Sequence, residues 1–254
     1  MNAVWNRALA LSLLTVGAVG GVSGAAWATP SPPTPIAIVN PSFEANNPGN
    51  TGGIGYSGTQ DYSAIGASGW ATSGGGISGW WHPSTVEYPG GGSTSVAATN
   101  IPDGAQIAFV NGGSGLGQTL STGFAADAQY TLSFSVGWRA GGMQLPSSYT
   151  VELLAGSTVL DSALNPGRLG LTAGQFQSAS FTYTSPYPDA LAGQHLGILL
   201  LASGSSGTQV NFDNFSLSVI NTVNPIPEPW AVTLLSVGLF GMLAARQIPA
   251  SRRR

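Results

Sequence analysis

The chain of 254 residues has no cysteine and no lysine, and charged residues make up 7% of it, where an ordinary soluble domain has about 25%. The absence of cysteine excludes a disulfide framework and a thiolate metal site. Seven arginines are the whole Lys and Arg complement, so there is no basic patch with which to hold nucleic acid. Glu and Lys are too scarce for a coiled coil or a long helical array. The only histidines, His82 and His195, have no metal-ligand neighbours in the sequence, and no G-x-S-x-G nucleophile elbow occurs. Two G-x-G-x-x-G matches, at Gly53-Gly55-Gly58 and Gly74-Gly76-Gly79, lie between no strand and helix and are chance products of 37 glycines.

The charge that is present is segregated. Residues 29–224 hold two arginines, Arg139 and Arg168, against nine acids, a net charge of −7 where the whole chain has −3. Such a surface repels anionic membranes and nucleic acid. The other five arginines belong to the two ends. At the first end Arg7 precedes the apolar residues 8–19 (ALALSLLTVGAV), and Ala26-Trp27-Ala28 has the small-x-small spacing of a cleavage site. Residues 1–28 therefore read as a signal peptide, followed by a Pro-rich extended leader, TPSPPTP, at 29–35.

At the other end residues 230–245 (WAVTLLSVGLFGMLAA) are 16 uncharged residues, fewer than the ~20 of a comfortable membrane span. Trp230 suits one interface, and Arg246, Arg252, Arg253 and Arg254 suit the cytoplasmic flank, so residues 246–254 are a cytoplasmic tail and the middle of the chain lies outside. A buried terminal helix is the alternative, opposed by the Pro-rich linker 221–229 before it and the Arg cluster after it. Pro227-Glu228-Pro229, a terminal apolar helix and a basic tail together resemble the PEP-CTERM sorting signal, with Trp230 and the interval Gln247 to Ser251 as departures. The resemblance implies Sec-type export in a Gram-negative cell, transient anchoring in the inner membrane and processing by an exosortase. The mature protein would then be on the cell surface or extracellular, in the company of exopolysaccharide or biofilm.

Between the ends, period-2 alternation dominates. Tyr130, Leu132, Phe134, Val136 and Trp138 share one face and Thr131, Ser133 and Ser135 the other. Tyr149, Val151 and Leu153 repeat the pattern, as do Ala179, Phe181 and Tyr183 opposite Ser178, Ser180 and Thr182, and then Leu196, Ile198 and Leu200. Further strands are expected at 36–39, 105–110, 116–120 and 208–220. Eight or so strands without crossover helices predict an all-β, antiparallel β-sandwich over 36–220, a jelly roll. In the last strand Val210 and Phe212 share one phase while Phe215, Leu217 and Val219 share the other, which predicts a bulge at Asp213–Asn214. Residues 46–95 are Gly-, Ser- and Asn-rich with many aromatics, a long loop with up to two short strands.

The opening VNPSFE (39–44) and closing VNFDNFSL (210–217) resemble galactose-binding-like jelly rolls, the group that includes many bacterial carbohydrate-binding modules. The resemblance implies that Glu44 and Asp213 come together on a structural Ca²⁺, which takes 6–8 oxygens; the plainer reading is that both acids cap turns. Exposed aromatics are platforms for sugar rings, and Trp70, Trp80, Trp81 and Tyr88 are the candidates, although Trp80 and Trp81, being adjacent, must face opposite sides of a strand. The plainer reading is that these rings fill the core. The function expected is a non-catalytic surface protein in contact with extracellular polysaccharide. The alternatives are a purely structural matrix protein and a secreted glycan-active enzyme, with Glu87 and Glu152 as first suspects for the latter.

Overall fold

The computed structural model describes residues 31–45, 62–63, 65–83, 86–89 and 100–221. The signal peptide, the Pro-Glu-Pro motif at 227–229, the apolar segment 230–245 and the arginines at 246 and 252–254 lie outside the described residues. Among the described residues no helix is long and apolar enough to cross a membrane.

Those residues form thirteen strands and one 3₁₀ turn. The strands are β1 (Thr34–Ile36), β2 (Tyr62–Ser63), β3 (Ile65–Gly66), β4 (Ala71–Gly74), β5 (Ser78–Trp81), β6 (Ile107–Asn111), β7 (Ser114–Gly123), β8 (Ala128–Trp138), β9 (Ser148–Ala155), β10 (Thr158–Leu164), β11 (Gln175–Thr184), β12 (His195–Ser203) and β13 (Gln209–Asn221). The larger sheet runs β11-β8-β13-β6-β5-β2, with β1 also on β13 and β3 on β5; the smaller runs β10-β9-β12-β7-β4. All pairings between these strands are antiparallel except the two-residue pairing of β3 with β5. The all-β, two-sheet expectation holds.

The alternation read from the sequence is what buries the core. Tyr130, Leu132, Phe134 and Val136 of β8 are each at most 2% exposed, and Val151, Leu153, Leu196, Ile198 and Leu200 from the smaller sheet meet them. Each such side chain contributes about 1.5–3 kcal/mol on burial. β13 joins the ends of the domain. It pairs with β8 along one side, and with β6 at Gln209–Phe212 and β1 at Leu217–Val219 along the other. The predicted bulge is there: the β13–β8 register shifts between Asp213 and Ser216, and Asn214 takes φ 52°.

Two expectations change. The region 46–95 contributes four short strands, because β5 inserts beside β6 and recruits β2 and β3 to the sheet edge while β4 joins the other sheet. β10 was not foreseen; it is an edge strand with little burial, so nothing in its pattern alternates.

Candidate functional site

The side of the larger sheet turned away from the core is not simply wetted. Trp81, Ile107 and Phe109 point outward from β5 and β6 and form a second apolar cluster with Tyr88, against which Ile101 and Phe176 pack. The segments 86–89 and 100–103 lie over this face. Tyr88 is fully buried, stacks on Phe176 at 4.8 Å between centroids and donates its hydroxyl to Asn211 Oδ1 at 2.8 Å. Burial pushes the Tyr88 hydroxyl well above its usual range. Phe176 can cross β8 because position 137 is glycine: a Cβ there would lie 2.6 Å from the Phe176 ring.

Asp213 sits in this layer with no exposed surface. Its Oδ2 accepts the Asp103 N–H at 3.0 Å and its Oδ1 the Asn214 N–H at 2.7 Å. No cation pairs with it among the described residues; the ion pair there joins Arg139 to Glu87 at 3.2 Å. Burial, helped by the neighbouring Asp103 and Glu44 carboxylates and opposed by the two amides, pushes the Asp213 carboxyl up to about 8. At neutral pH it is therefore a protonated acid, able to give a proton.

A cleft of about 450 Å³ opens beside it, lined by Asn100, Ile101, Pro102, Ser135 and Gln175 to Ser178. Ser135 is the cross-strand partner of Asp213, and Asp103, whose amide holds Asp213, directly follows the lining segment. A trough of about 310 Å³ shares Ser135 and Ser178 with the cleft and adds Ser133, Ser180, Asn214 and Ser216. The Arg139 guanidinium lies 4.5 Å over the Trp81 ring and donates to Gln209 Oε1 and Glu87 Oε1. Trp81 Nε1 and Arg139 Nε are buried without a hydrogen-bond partner, as are His82 Nε2 and Asn111 Oδ1. A buried unmade hydrogen bond costs about 1–3 kcal/mol.

The opening and closing motifs do meet. The Phe215 amide donates to Pro41 O, and the Phe43 and Phe215 rings are 6.2 Å apart. Glu44 and Asp213 grip the same turn: Glu44 Oε1 accepts the Ala105 and Gln106 amides at 2.7 and 2.5 Å while Asp213 accepts that of Asp103. The bonded oxygens of both acids face N–H donors, and among the described residues no group of three or more His, Cys, Asp and Glu side chains that could hold a metal gathers. The turn-capping reading describes both acids.

None of the proposed sugar platforms is exposed. Trp70 is 4% exposed, packed between Phe43 and Phe215, with Nε1 donating to Val39 O and Asn40 O. Trp80 faces the main core and Trp81 the outer cluster, as their adjacency required. Tyr88 is covered completely. A sugar ring cannot stack on a face already filled by protein. Of the two glutamates suspected for glycan hydrolysis, Glu87 is tied up with Arg139, and Glu152 lies on β9 of the smaller sheet. Sequence reasoning overlooked Arg139 and Phe176. Their signals were available: one of two arginines in the middle of the chain, and an aromatic in the serine phase of β11.

No curated protein matches the chain. Among solved structures, a Stig cyclase, Fisc from Fischerella sp. TAU in complex with (3Z)-3-(1-methyl-2-pyrrolidinylidene)-3H-indole, is 25% identical, covers 74% of this chain and 98% of its own, and superposes with a TM-score of 0.58. A cyclase from the same source bound to 4-(1H-indol-3-yl)butan-2-one is 26% identical over 73% of this chain and 97% of its own, with a TM-score of 0.56. Carbohydrate-binding modules also match, such as TmCBM61 with β-1,4-galactotriose at 12% identity and a TM-score of 0.43, a likeness that brings no ligand with it. The family model named HpiC1-like, for HpiC1 cyclase, matches residues 34–218. This overturns the expectation of a non-catalytic matrix protein. The repeated aromatics and the −7 charge suited a surface module, but they are equally the makings of a covered apolar site with a buried acid. The chain belongs to the HpiC1-like cyclase family.

Proposed function

We propose that this protein is a cyclase that closes a ring in a neutral, aryl-bearing substrate by proton transfer from Asp213. The observation that carries this is a fully buried carboxyl, protonated up to about pH 8, beside a cleft and an aromatic layer. Asp213 gives its proton to the substrate, and positive charge develops on the substrate as the carboxylate forms. The ring of Phe176, which lines the cleft, favours that charge. Ring closure then releases a proton, which returns to Asp213, so substrate and product are isomers and no oxidant or reductant is consumed. The indole ligands of the 25–26% identical cyclases support an aryl substrate. The test is incubation of the protein with indole-bearing alkenes and imines, with products separated by liquid chromatography and mass spectrometry. Isomeric, ring-closed products at unchanged mass are expected. Recovery of every substrate unaltered across the panel sinks the proposal.

Export is a second part of the proposal, and it rests on the sequence of residues 1–28 and 227–254. The acid site would then work outside the cytoplasm, after exosortase processing. Intact mass of the protein purified from its native cells is expected to lack residues 1–28 and 230–254, and a mass retaining 230–254 excludes processing.

A further inference from the structure

We infer that the serine-lined trough beside the acid cleft is a second subsite of the same site, which takes a neutral, hydroxyl-bearing arm of the substrate, with Ser135 shared between the two. The inference rests on the cyclase reading given above and names the chemistry of the part of the substrate that does not react.

The larger sheet supplies the geometry. Ser135 stands in the outward phase of β8, opposite Asp213 on β13 and Ser178 on β11. Two residues along the strand, Ser133 stands between Ser180 of β11 and Ser216 of β13. Between these rows β13 covers Asp213 to Ser216 while β8 covers Ser135 to Ser133, and the exposed Asn214 of this bulge lines the same trough. Its volume of about 310 Å³ is that of a small-molecule site, and Ser135 and Ser178 line the acid cleft as well.

A polar strand face is ordinarily wetted surface, and Ser135 separates the two cases. It is 5% exposed, it lines both volumes, and its hydroxyl has no hydrogen-bond partner among the described residues. Buried hydroxyls are ordinarily bonded, so this one marks the place of a group from outside the chain. The hydroxyls of Ser133, Ser178, Ser180 and Ser216 are equally unengaged among the described residues. Just beyond the trough the face pairs with itself: Thr131 and Thr182 meet at 3.2 Å, and Gln129 donates to Thr184 at 3.3 Å.

The lining selects the chemistry. It holds no Asp, Glu, Arg or His, so neither an anion nor an ammonium group finds a counter-charge there. Its one aromatic, Phe134, is 2% exposed and packs in the main core, which leaves a sugar ring nothing to stack on. Serine hydroxyls both donate and accept, and an alcohol on an open chain answers both. An aryl group held against Phe176 in the cleft would pass such a chain over Ser135 and Ser178 into the trough.

Calorimetric titration of the whole chain with two probes tests this. One is butylindole; the other is butylindole with two hydroxyl groups at the far end of its chain. Wild type is expected to bind the diol about tenfold more tightly, the worth of one or two net hydrogen bonds. Ser133→Ala combined with Ser180→Ala removes hydroxyls that line the trough and not the cleft, and is expected to bring the ratio of the two affinities to about one. Ser180→Ala alone changes an exposed side chain on the edge strand β11, so its fold is not at stake, and a ratio of about three is expected of it. Equal affinity of wild type for the two probes overturns the subsite and leaves the trough a wetted face, while the cyclase reading, which rests on Asp213 and ring closure, is untouched. A full preference that survives in both variants places the hydroxyl contacts elsewhere and overturns the subsite too. Failure of wild type to bind either probe removes the aryl substrate class, and the subsite with it.

Discussion

Asp213→Asn is expected to lower the rate of cyclisation about 10²–10⁴-fold, the range lost when a positioned proton donor is removed, with the fold retained. Asn keeps an acceptor oxygen for one of the two amides that hold Asp213, so the variant tests the proton and not the packing. The wild-type rate is expected to hold through neutral pH and to fall above about pH 8, where the buried acid loses its proton. Stability carries an independent mark of the same group. The carboxyl titrates at about 8 in the folded chain against 3.8 as a free side chain. Between those values the folded state keeps a proton that the unfolded state has released. The stabilisation by the neutral acid is thus fully present below about pH 4 and is lost as pH rises through 8. Asn at 213 does not titrate. The stability of the variant relative to wild type is therefore expected to improve by up to about 1.4 kcal/mol per pH unit between pH 5 and 8, read by urea denaturation at each pH. A difference that stays flat over that range means that Asp213 is ionised in the fold and is no proton donor.

Trp70→Ala is expected to cost about 3–5 kcal/mol of folding stability, as deletion of a buried aromatic does. The indole is packed between Phe43 and Phe215 and donates to Val39 O and Asn40 O. It ties the end of β1 to the bulged strand β13, where Phe43 is itself held at φ 63°, a left-handed conformation uncommon for a bulky residue. An exposed platform for a sugar would cost no more than about 0.5 kcal/mol on removal. Chemical denaturation of the variant separates the two roles, and a loss under 1 kcal/mol, as an order of magnitude, returns Trp70 to the surface.

Much of the fold can be read locally because the side-chain period of a strand is a local property. The faces of β8, β9, β11 and β12 follow from alternation alone, and the phase switch at Asp213 announces the bulge one strand away from any contact. The adjacency of Trp80 and Trp81 even requires that they part company. The role of the outer face is another matter. Ser135 and Ser178 belong to a polar phase that looks like a wetted surface, and only the crossing of Phe176 over Gly137 and the cover by 86–89 and 100–103 make a site of it. The sequence marks Asp213 as unusual through the phase switch, but its burial and its two amide partners, 110 and one positions away, are set by the fold.

The sequence by itself determined the all-β class, the strand faces, the bulge and the separation of a nearly Arg-free middle from two Arg-bearing ends. These depend on the order and spacing of neighbouring residues. Only the tertiary structure decided which aromatics are core and which line the outer cluster, and that Asp213 is buried among them. Burial and the company of a charge depend on segments distant in the chain, and it is burial that turns an ordinary carboxylate into an acid that holds its proton at neutral pH.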